Sequence, residues 1–468
     1  MANCKSTRKN LFIEKNMSSK LTKILILIST LLIIYFSRWT IFYKFDPVYW
    51  ENFYYESQWN IPNSQRVIPD GGVYRFVGYK LANGENPFNI DYWVPPAGKY
   101  LYGLSAKYLN NPYFASIAFY LTLILVGFSL SSLLFKDKFK TTISTLLLAT
   151  NPLIGQQITL TMLDLPQALF LITHIFFLFK KNIFLSGIFL GLALGTKIGY
   201  FIPIIALLDI FYLYKDKTKF KKILYFSFFI FLGYVLAYFC YFIKHPNPIP
   251  WLRLHQKILD FWQGTPLFPS PYNFFTYIFS NKFFQVLGDK KIWMSSSAWS
   301  IIFPISVFAL LANLTKKQKN LKFNYLTIFA ATWIILLTLI DFWPRYLVPI
   351  ISILILILVN SLKSHKALLI IITISSFFNL KNYIFPNPAD TFNQIDQHLN
   401  TGSFKEIQAL SLKPNFDQDI KQAQFLNWQK QDKQAVGHYN INKQTQLDIV
   451  LEKINNQWQI SNYSFSNP

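Results

Sequence analysis

Apolar residues in this chain gather into long unbroken runs from residue 24 to residue 380, divided by short polar gaps. Several runs approach the roughly 20 residues that an α-helix needs to cross a hydrocarbon core. Their continuity predicts helices, because the strands of a membrane barrel alternate apolar and polar positions. Lysine marks the gaps: Lys136, Lys138 and Lys140, then Lys180 and Lys181, Lys215 to Lys222, Lys316 to Lys322, and Lys363 with Lys366. A basic segment, 1–23, carries Lys5, Arg8, Lys9, Lys15, Lys20 and Lys23 ahead of the first run. Short lysine-rich connections mark the cytoplasmic side of a membrane protein, so each of these gaps is expected inside.

The same marks resolve the number of crossings. The stretch 183–214 is too long for one helix and short for two, yet both flanks are basic, so an even number of crossings lies between them. It predicts a helical hairpin, 183–196 and 198–214, with Lys197 near the outer tip. By the same rule 141–179 is a hairpin whose outer tip lies near Gly155 to Asp164. Further crossings are expected near 24–42, 114–135, 223–243, 294–314, 324–342, 346–362 and 367–380. The total is about eleven, with the N-terminus cytoplasmic and the C-terminus extracytoplasmic. No small-residue cleavage site follows the first run, which therefore reads as a retained crossing.

Two long outer loops remain, 43–113 and 244–293, together with an outer appendage, 381–468. Within the second loop, 251–263 predicts an amphipathic helix lying on the membrane, with Trp251 and Trp262 at headgroup level. Such a helix either anchors the chain or guides a lipid substrate. The appendage turns abruptly to Gln, Asn, Asp and Lys. Its segment Gln446 to Phe465 alternates apolar and polar residues around Asn455-Asn456, which predicts a β-hairpin. The expected fold is an all-α polytopic membrane protein, 24–380, carrying a small C-terminal α+β extracytoplasmic domain.

Composition changes the picture only by exclusion. Apolar residues make up 52% of the 468, aromatic residues 18% and charged residues 14%, well below the quarter or so of charged residues in soluble domains. The net charge of +23 invites a nucleic-acid reading, but the lysines sit in the gaps between helices and no nucleic-acid partner is expected. Cys4 and Cys240 fall in the basic tail and inside an apolar run, which excludes a disulfide framework.

The outer segments hold the candidate chemistry. The first loop contains Ile68-Pro69-Asp70-Gly71-Gly72-Val73-Tyr74, then Gly84-Glu85-Asn86-Pro87-Phe88, and ends Asp91-Tyr92-Trp93-Val94-Pro95-Pro96-Ala97-Gly98-Lys99. Downstream lie Leu163-Asp164-Leu165-Pro166, the run Gly187 to Lys197, and Pro344-Arg345-Tyr346 followed by Pro349. In this order the segments resemble the dolichyl-phosphate-mannose protein mannosyltransferases and their bacterial relatives, including the lipid A aminoarabinose transferases. That superfamily has the membrane-embedded glycosyltransferase fold called GT-C. The resemblance covers about residues 24–350; Pro95 to Lys99 match the family's Pro-Pro-Leu-Gly-Lys-like segment except for Ala97, and the departure that matters is the family's acidic pair, reduced to Asp70-Gly71.

The resemblance implies a polyprenyl- or dolichyl-phosphate-linked sugar donor, a hydroxyl-bearing acceptor (lipid, glycan or protein), and a site at the outer membrane face. A phosphate is already a good leaving group, so one carboxylate base for the acceptor hydroxyl suffices. Asp70 is the candidate base, with inversion at the anomeric carbon, and Asp164 is the second catalytic candidate. Arg345, Lys197 and Lys99 are candidates for the leaving phosphate; Tyr74, Glu85 and Asp91 complete the substrate-binding set. The missing second carboxylate leaves a divalent cation open, and no metal-ligand cluster stands out. His245 and His255 lack the spacing of a metal site.

Each residue also has a plainer reading. Asp70 beside two glycines starts a turn, Asp164 caps a helix with Pro166 in its first turn, and Lys197 snorkels to the interface. Arg345 is an interfacial anchor, Lys99 a surface lysine, His174 a packing histidine, and Asp209 a structural group near the inner interface. Two further classes compete: a transporter or flippase of lipid-linked sugars, which requires ionisable groups along a path at mid-membrane, and a scaffold that displays the appendage. His174 apart, the acids and lysines lie near helix ends, as a surface site requires.

Overall fold

The computed structural model describes residues 24–362 and 364, apart from 25, 36, 62–67, 198–200, 217–218, 265–270, 288–289, 297, 317–319, and four strands between 424 and 466. The fold is mostly helical. The first apolar helix, α1 (Ile26–Tyr35), is followed by α2 (Trp39–Phe42) and α3 (Pro47–Tyr55). Asp46 caps α3 by accepting from the Tyr49 amide at 3.1 Å, and Pro47 supplies the preset φ favoured in a first helical turn.

The expected loop 43–113 contains three helices. After α3 come α4 (Asp70–Ala82) and α5 (Ala97–Leu109). Asp70-Gly71-Gly72 does not make a turn; it opens α4, and its glycines serve packing. A Cβ at Gly72 would stand 2.8 Å from the Trp50 ring. The two helices then cross at Gly78 and Gly103, where added Cβ atoms would lie 2.2 Å from Lys99 O and 1.8 Å from Gly78 O. This backbone approach fixes α4 against α5.

A pair of main helices falls within each of the two stretches where a hairpin is expected. α6 (Tyr113–Leu134) leads to α7 (Lys138–Ala149), the short α8 (Pro152–Gln156) and α9 (Asp164–Phe179), so the chain breaks between 150 and 163 as the lysine pattern predicts. α10 (Ile183–Leu194) and α11 (Phe201–Lys215) form the second, with Lys197 between them. α12 (Phe220–Leu236) packs on α10 through glycine: a Cβ at Gly191 would stand 2.1 Å from Ile230 O, and one at Gly233 2.2 Å from Ile188 O. Small residues let helix backbones approach where lipid removes the hydrophobic drive.

α13 (Phe239–Lys244) precedes α14 (Pro248–Gly264), the amphipathic helix expected at 251–263, and α15 (Pro271–Ser280). Strands β1 (Lys282–Leu287) and β2 (Lys290–Ser295) pair antiparallel with Lys282 opposite Ser295. Because 290–295 is committed to that ladder, the helix expected from 294 begins later, as α16 (Ile302–Leu314). α17 (Leu321–Thr338), a 3-10 turn (Pro344–Leu347) and α18 (Val348–Ser361) follow. α18 is buried along nearly its whole length and packs against α7, α9, α16 and α17.

Among the described residues three helices are long and apolar enough to cross a membrane: Tyr113–Leu134, Leu321–Thr338 and Pro344–Ser361. α1, α9, α10 and α16 are apolar but shorter. The crossing expected at 367–380 lies outside the described residues. In the appendage, β3 (Gln424–Gln431), β4 (Gln434–Asn442), β5 (Thr445–Ile454) and β6 (Gln457–Ser466) form an antiparallel meander. Ile454 stands opposite Gln457, so the two strands of the predicted hairpin pair as expected. Alternate positions (Ala435, Tyr439, Leu447, Ile449, Leu451) are buried, the period of a sheet with one covered face. The helical part expected of an α+β domain falls outside the described residues.

Candidate active site

Four charged side chains from distant parts of the chain converge at one end of the bundle. Asp70 is the first residue of α4 and Asp164 the first of α9; a carboxylate in that first turn faces the positive end of the helix dipole. Neither is spent on capping its own helix, since the N-cap positions are Pro69 and Leu163 without side-chain bonds. Each instead meets a cation. Arg345 Nη2 donates to Asp70 Oδ2 at 2.7 Å, and Lys197 Nζ donates to Asp164 Oδ1 at 2.6 Å. Arg345 Nε lies 3.8 Å from Asp164 Oδ2, so the guanidinium bridges the two acids.

Exposure differs across the cluster in a way that assigns roles. The Asp70 side chain is 34% exposed, Lys197 25% and Arg345 17%, whereas Asp164 is 3% exposed. Asp70 therefore stands at the mouth, and Asp164 is the inner anchor that holds both cations. Arg345 Nε is buried on the Asp164 side and makes no hydrogen bond. Its guanidinium also lies 5.0 Å from the Trp343 ring, and Lys197 Nζ stands 4.3 Å from the Tyr346 ring. These aromatic faces hold the cations in place.

The supporting contacts come from the same segments that carry the family resemblance. The Ala97 amide donates to Gly195 O at 2.9 Å. A Cβ at Gly98 would stand 2.6 Å from Leu163, 3.0 Å from Thr196 and 3.3 Å from Pro166. Thr161 Oγ1 donates to Gly71 O at 2.5 Å, and Tyr102 OH to Met162 O at 2.7 Å. The segment before Asp164 is thereby clamped to both α4 and α5.

Of the remaining sequence candidates, Tyr74 borders the cluster, and Lys99 and Asp91 lie behind it. Lys99 and Asp91 form a pair in the interior, 1% and 0% exposed, with Nζ 2.6 Å from Asp91 Oδ2. Lys99 Nζ also donates to Asp91 O and Val94 O, both at 2.7 Å. Burial pushes the Asp91 carboxyl up to about 6 against the opposing pull of Lys99, and the same burial lowers the Lys99 ammonium. Asp91 holds a left-handed φ of 46°, and the pair buttresses the first loop from within. Tyr74 is buried one turn along α4 from Asp70, with its hydroxyl held well above its usual pKa by burial and by Asp70. Glu85 is exposed and has no contact with the cluster.

Sequence reasoning passed over Gln167 and Met162, and quoted Tyr346 without giving it a role. Gln167 Nε2 donates to Lys197 O at 3.1 Å, and Arg345 Nη1 lies 3.6 Å from Met162 Sδ. Gln167 carried a readable signal, because a polar residue three places after Asp164 shares its helix face. Among the described residues there is no group of three or more His, Cys, Asp or Glu that could hold a metal ion.

No family model and no curated protein matches the chain. Among solved structures it is similar to ArnT from Cupriavidus metallidurans bound to undecaprenyl phosphate, at 14% identity and a TM-score of 0.49, over 81% of this chain and 71% of that one. The apo state of the same protein aligns at 13% identity and a TM-score of 0.46, over 83% of this chain and 66% of that one.

Proposed function

We propose that the chain is a membrane glycosyltransferase that moves a sugar from a polyprenyl-phosphate carrier to a hydroxyl acceptor. The observation that carries this reading is the Asp70–Arg345–Asp164–Lys197 cluster, with its partly exposed acid, its buried acid and its two partly exposed cations. In the reaction the acceptor oxygen attacks the anomeric carbon as the bond from that carbon to the phosphate oxygen breaks, inverting the centre. The hydroxyl proton passes to Asp70, and the electron pair leaves on the carrier phosphate. Arg345 and Lys197 meet the phosphate charge; fixed cations in a site of low dielectric need no reorganisation as it develops.

The ion pair between Arg345 and Asp70 suits this sequence. A phosphate that engages the guanidinium fork competes with Asp70 for it, and release raises the basicity of Asp70 when the acceptor arrives. Asp164 keeps Lys197 and the inner edge of Arg345 in place throughout. It also supplies the second carboxylate that the Asp70-Gly71 sequence lacks, from a segment 94 positions away.

The test uses purified protein in lipid nanodiscs, a panel of radiolabelled polyprenyl-phosphate sugars and a crude acceptor extract. Wild type is expected to transfer sugar, and Asp70→Asn to lose about a hundredfold or more while retaining its unfolding temperature. Transfer that survives the change moves the base to Asp164. Carriage of the lipid-linked sugar across vesicles, with no new glycosidic bond, overturns the enzyme reading in favour of a flippase.

A further inference from the structure

The bundle holds a second polar cluster that the proposed chemistry does not use. His174, Ser186, Asp209 and Tyr325 come from α9, α10, α11 and α17; the first three are 0% exposed and Tyr325 is 5%. His174 Nδ1 lies 2.9 Å from Ser186 Oγ and 3.0 Å from Ser186 O, and Nε2 lies 3.2 Å from Asp209 Oδ2, within ion-pair distance but without hydrogen-bond geometry. The Tyr325 hydroxyl donates to Asp209 Oδ1. Phe226 stacks on the imidazole, while Phe179 and Tyr212 enclose the Tyr325 ring.

Packing alone does not call for such a group. Apolar side chains of similar volume join helices in a bilayer at no desolvation cost, and buried ion pairs are often neutral or worse for stability. The four helices so joined, however, hold or flank three of the four charged residues of the site. Asp164 opens α9, Lys197 lies between α10 and α11, and Arg345 follows α17. His174 stands ten residues from Asp164, about 15 Å along α9. Apolar packing tolerates sliding of one helix past another; a histidine set between a serine on one helix and a carboxylate on a third permits one spacing only.

We infer that His174 and Asp209 are positioning residues, a polar clamp that fixes the spacing of α9, α10 and α11 and thereby holds Asp164 against Lys197 at the far end of the helices. The inference rests on the proposed function for its kinetic consequence and stands on geometry for the rest.

The test replaces the pair together, His174→Leu with Asp209→Leu, in nanodiscs. Three quantities are read: the unfolding temperature, the rate at which an N-hydroxysuccinimide ester acylates Lys197 (by mass spectrometry), and kcat and KM for the donor that wild type uses. A clamp whose role is spacing gives a double variant as stable as wild type, since both buried polar groups are gone. In that variant Lys197 acylation rises about fivefold and kcat falls about tenfold with KM held, the size of coupling expected between linked sites. Wild-type acylation and kcat in an equally stable variant overturn the inference and leave the cluster as packing. If the double variant does not assemble, Tyr325→Phe removes only the hydroxyl that Asp209 accepts from. Lys197 acylation should then rise about twofold, and a wild-type rate sinks the idea. If wild type transfers no sugar, the functional reading fails by itself, and the acylation rates still decide the clamp.

Discussion

Arg345 is the residue on which the site turns, because its planar fork reaches Asp70 through Nη2 while Nε faces Asp164. A lysine ammonium is a point charge and pairs with one of the two acids. Arg345→Lys is therefore expected to fold, to keep its unfolding temperature within a few degrees, and to lose on the order of a hundredfold in kcat, the cost of removing a fixed donor from a developing oxyanion. A fall in kcat below about threefold would show that Arg345 is only an interfacial anchor. The Lys99–Asp91 pair predicts a different signature, in stability. Lys99→Met leaves a buried carboxylate without its counter-charge and should cost about 3–5 kcal/mol of unfolding free energy. Its pH dependence has a definite sign. Burial raises the Asp91 carboxyl to about 6, above its unfolded value of about 4, so the fold binds that proton more tightly than the unfolded chain does. The stabilisation from protonated Asp91 is complete below about pH 4 and is lost as pH rises through about 6. Unfolding temperatures of wild type and Asp91→Asn between pH 4 and 7 check this: the wild-type curve should fall relative to the variant across that window, and parallel curves would refute it.

At the scale of elements, what could be read in the sequence follows the range of the signal. The helix pairs within 141–179 and 183–214 were legible because lysines at both ends demand an even number of crossings, and the amphipathic α14 because its apolar face repeats at helical spacing. The helices of the first outer segment were not. Asp70-Gly71-Gly72 has the local chemistry of a turn, and only the Trp50 ring packed on Gly72 shows why glycine stands inside a helix there. Likewise 294–301 looks continuous with the apolar run that follows, and the competing partner is the strand 282–287, which the local pattern does not reveal. Glycine supplies the element-scale prediction. The α10–α12 contact leaves no space at Gly191, where a Cβ would meet Ile230 O at 2.1 Å. Gly191→Val forces the two backbones apart and, through α10, displaces Lys197 from Asp164. Detergent-solubilised protein should show a lowered unfolding temperature, and transfer should fall in step with it. An unchanged unfolding temperature would mean that the helices are held by other contacts.

At the scale of the molecule, the site is assembled from positions 70, 164, 197 and 345, and nothing within any one of those segments names its partner. The resemblance singled out the residues; the pairing of Asp70 with Arg345 and of Asp164 with Lys197 required the packed helices, as did the meeting of His174 with Asp209. The lysine-rich connections supply the whole-molecule prediction, which concerns direction. Lys181, Lys215 and Lys322 fall at one set of helix ends, while Asp164, Lys197 and Arg345 fall at the opposite ends of the same helices. If lysine-rich connections face the cytoplasm, the site opens on the other side, where the proposed function requires the acceptor and the sugar end of the carrier to arrive. A membrane-impermeant amine reagent applied to sealed right-side-out vesicles should then modify Lys197 and spare Lys181, Lys215 and Lys322, all of which react once the vesicles are opened. A maleimide should likewise reach Glu85→Cys from outside, since Glu85 is exposed and lies between α4 and α5. Labelling of Lys215 and Lys322 in sealed vesicles, with Lys197 protected, would turn the molecule over, place the cluster on the cytoplasmic face, and require a donor and acceptor made on that side.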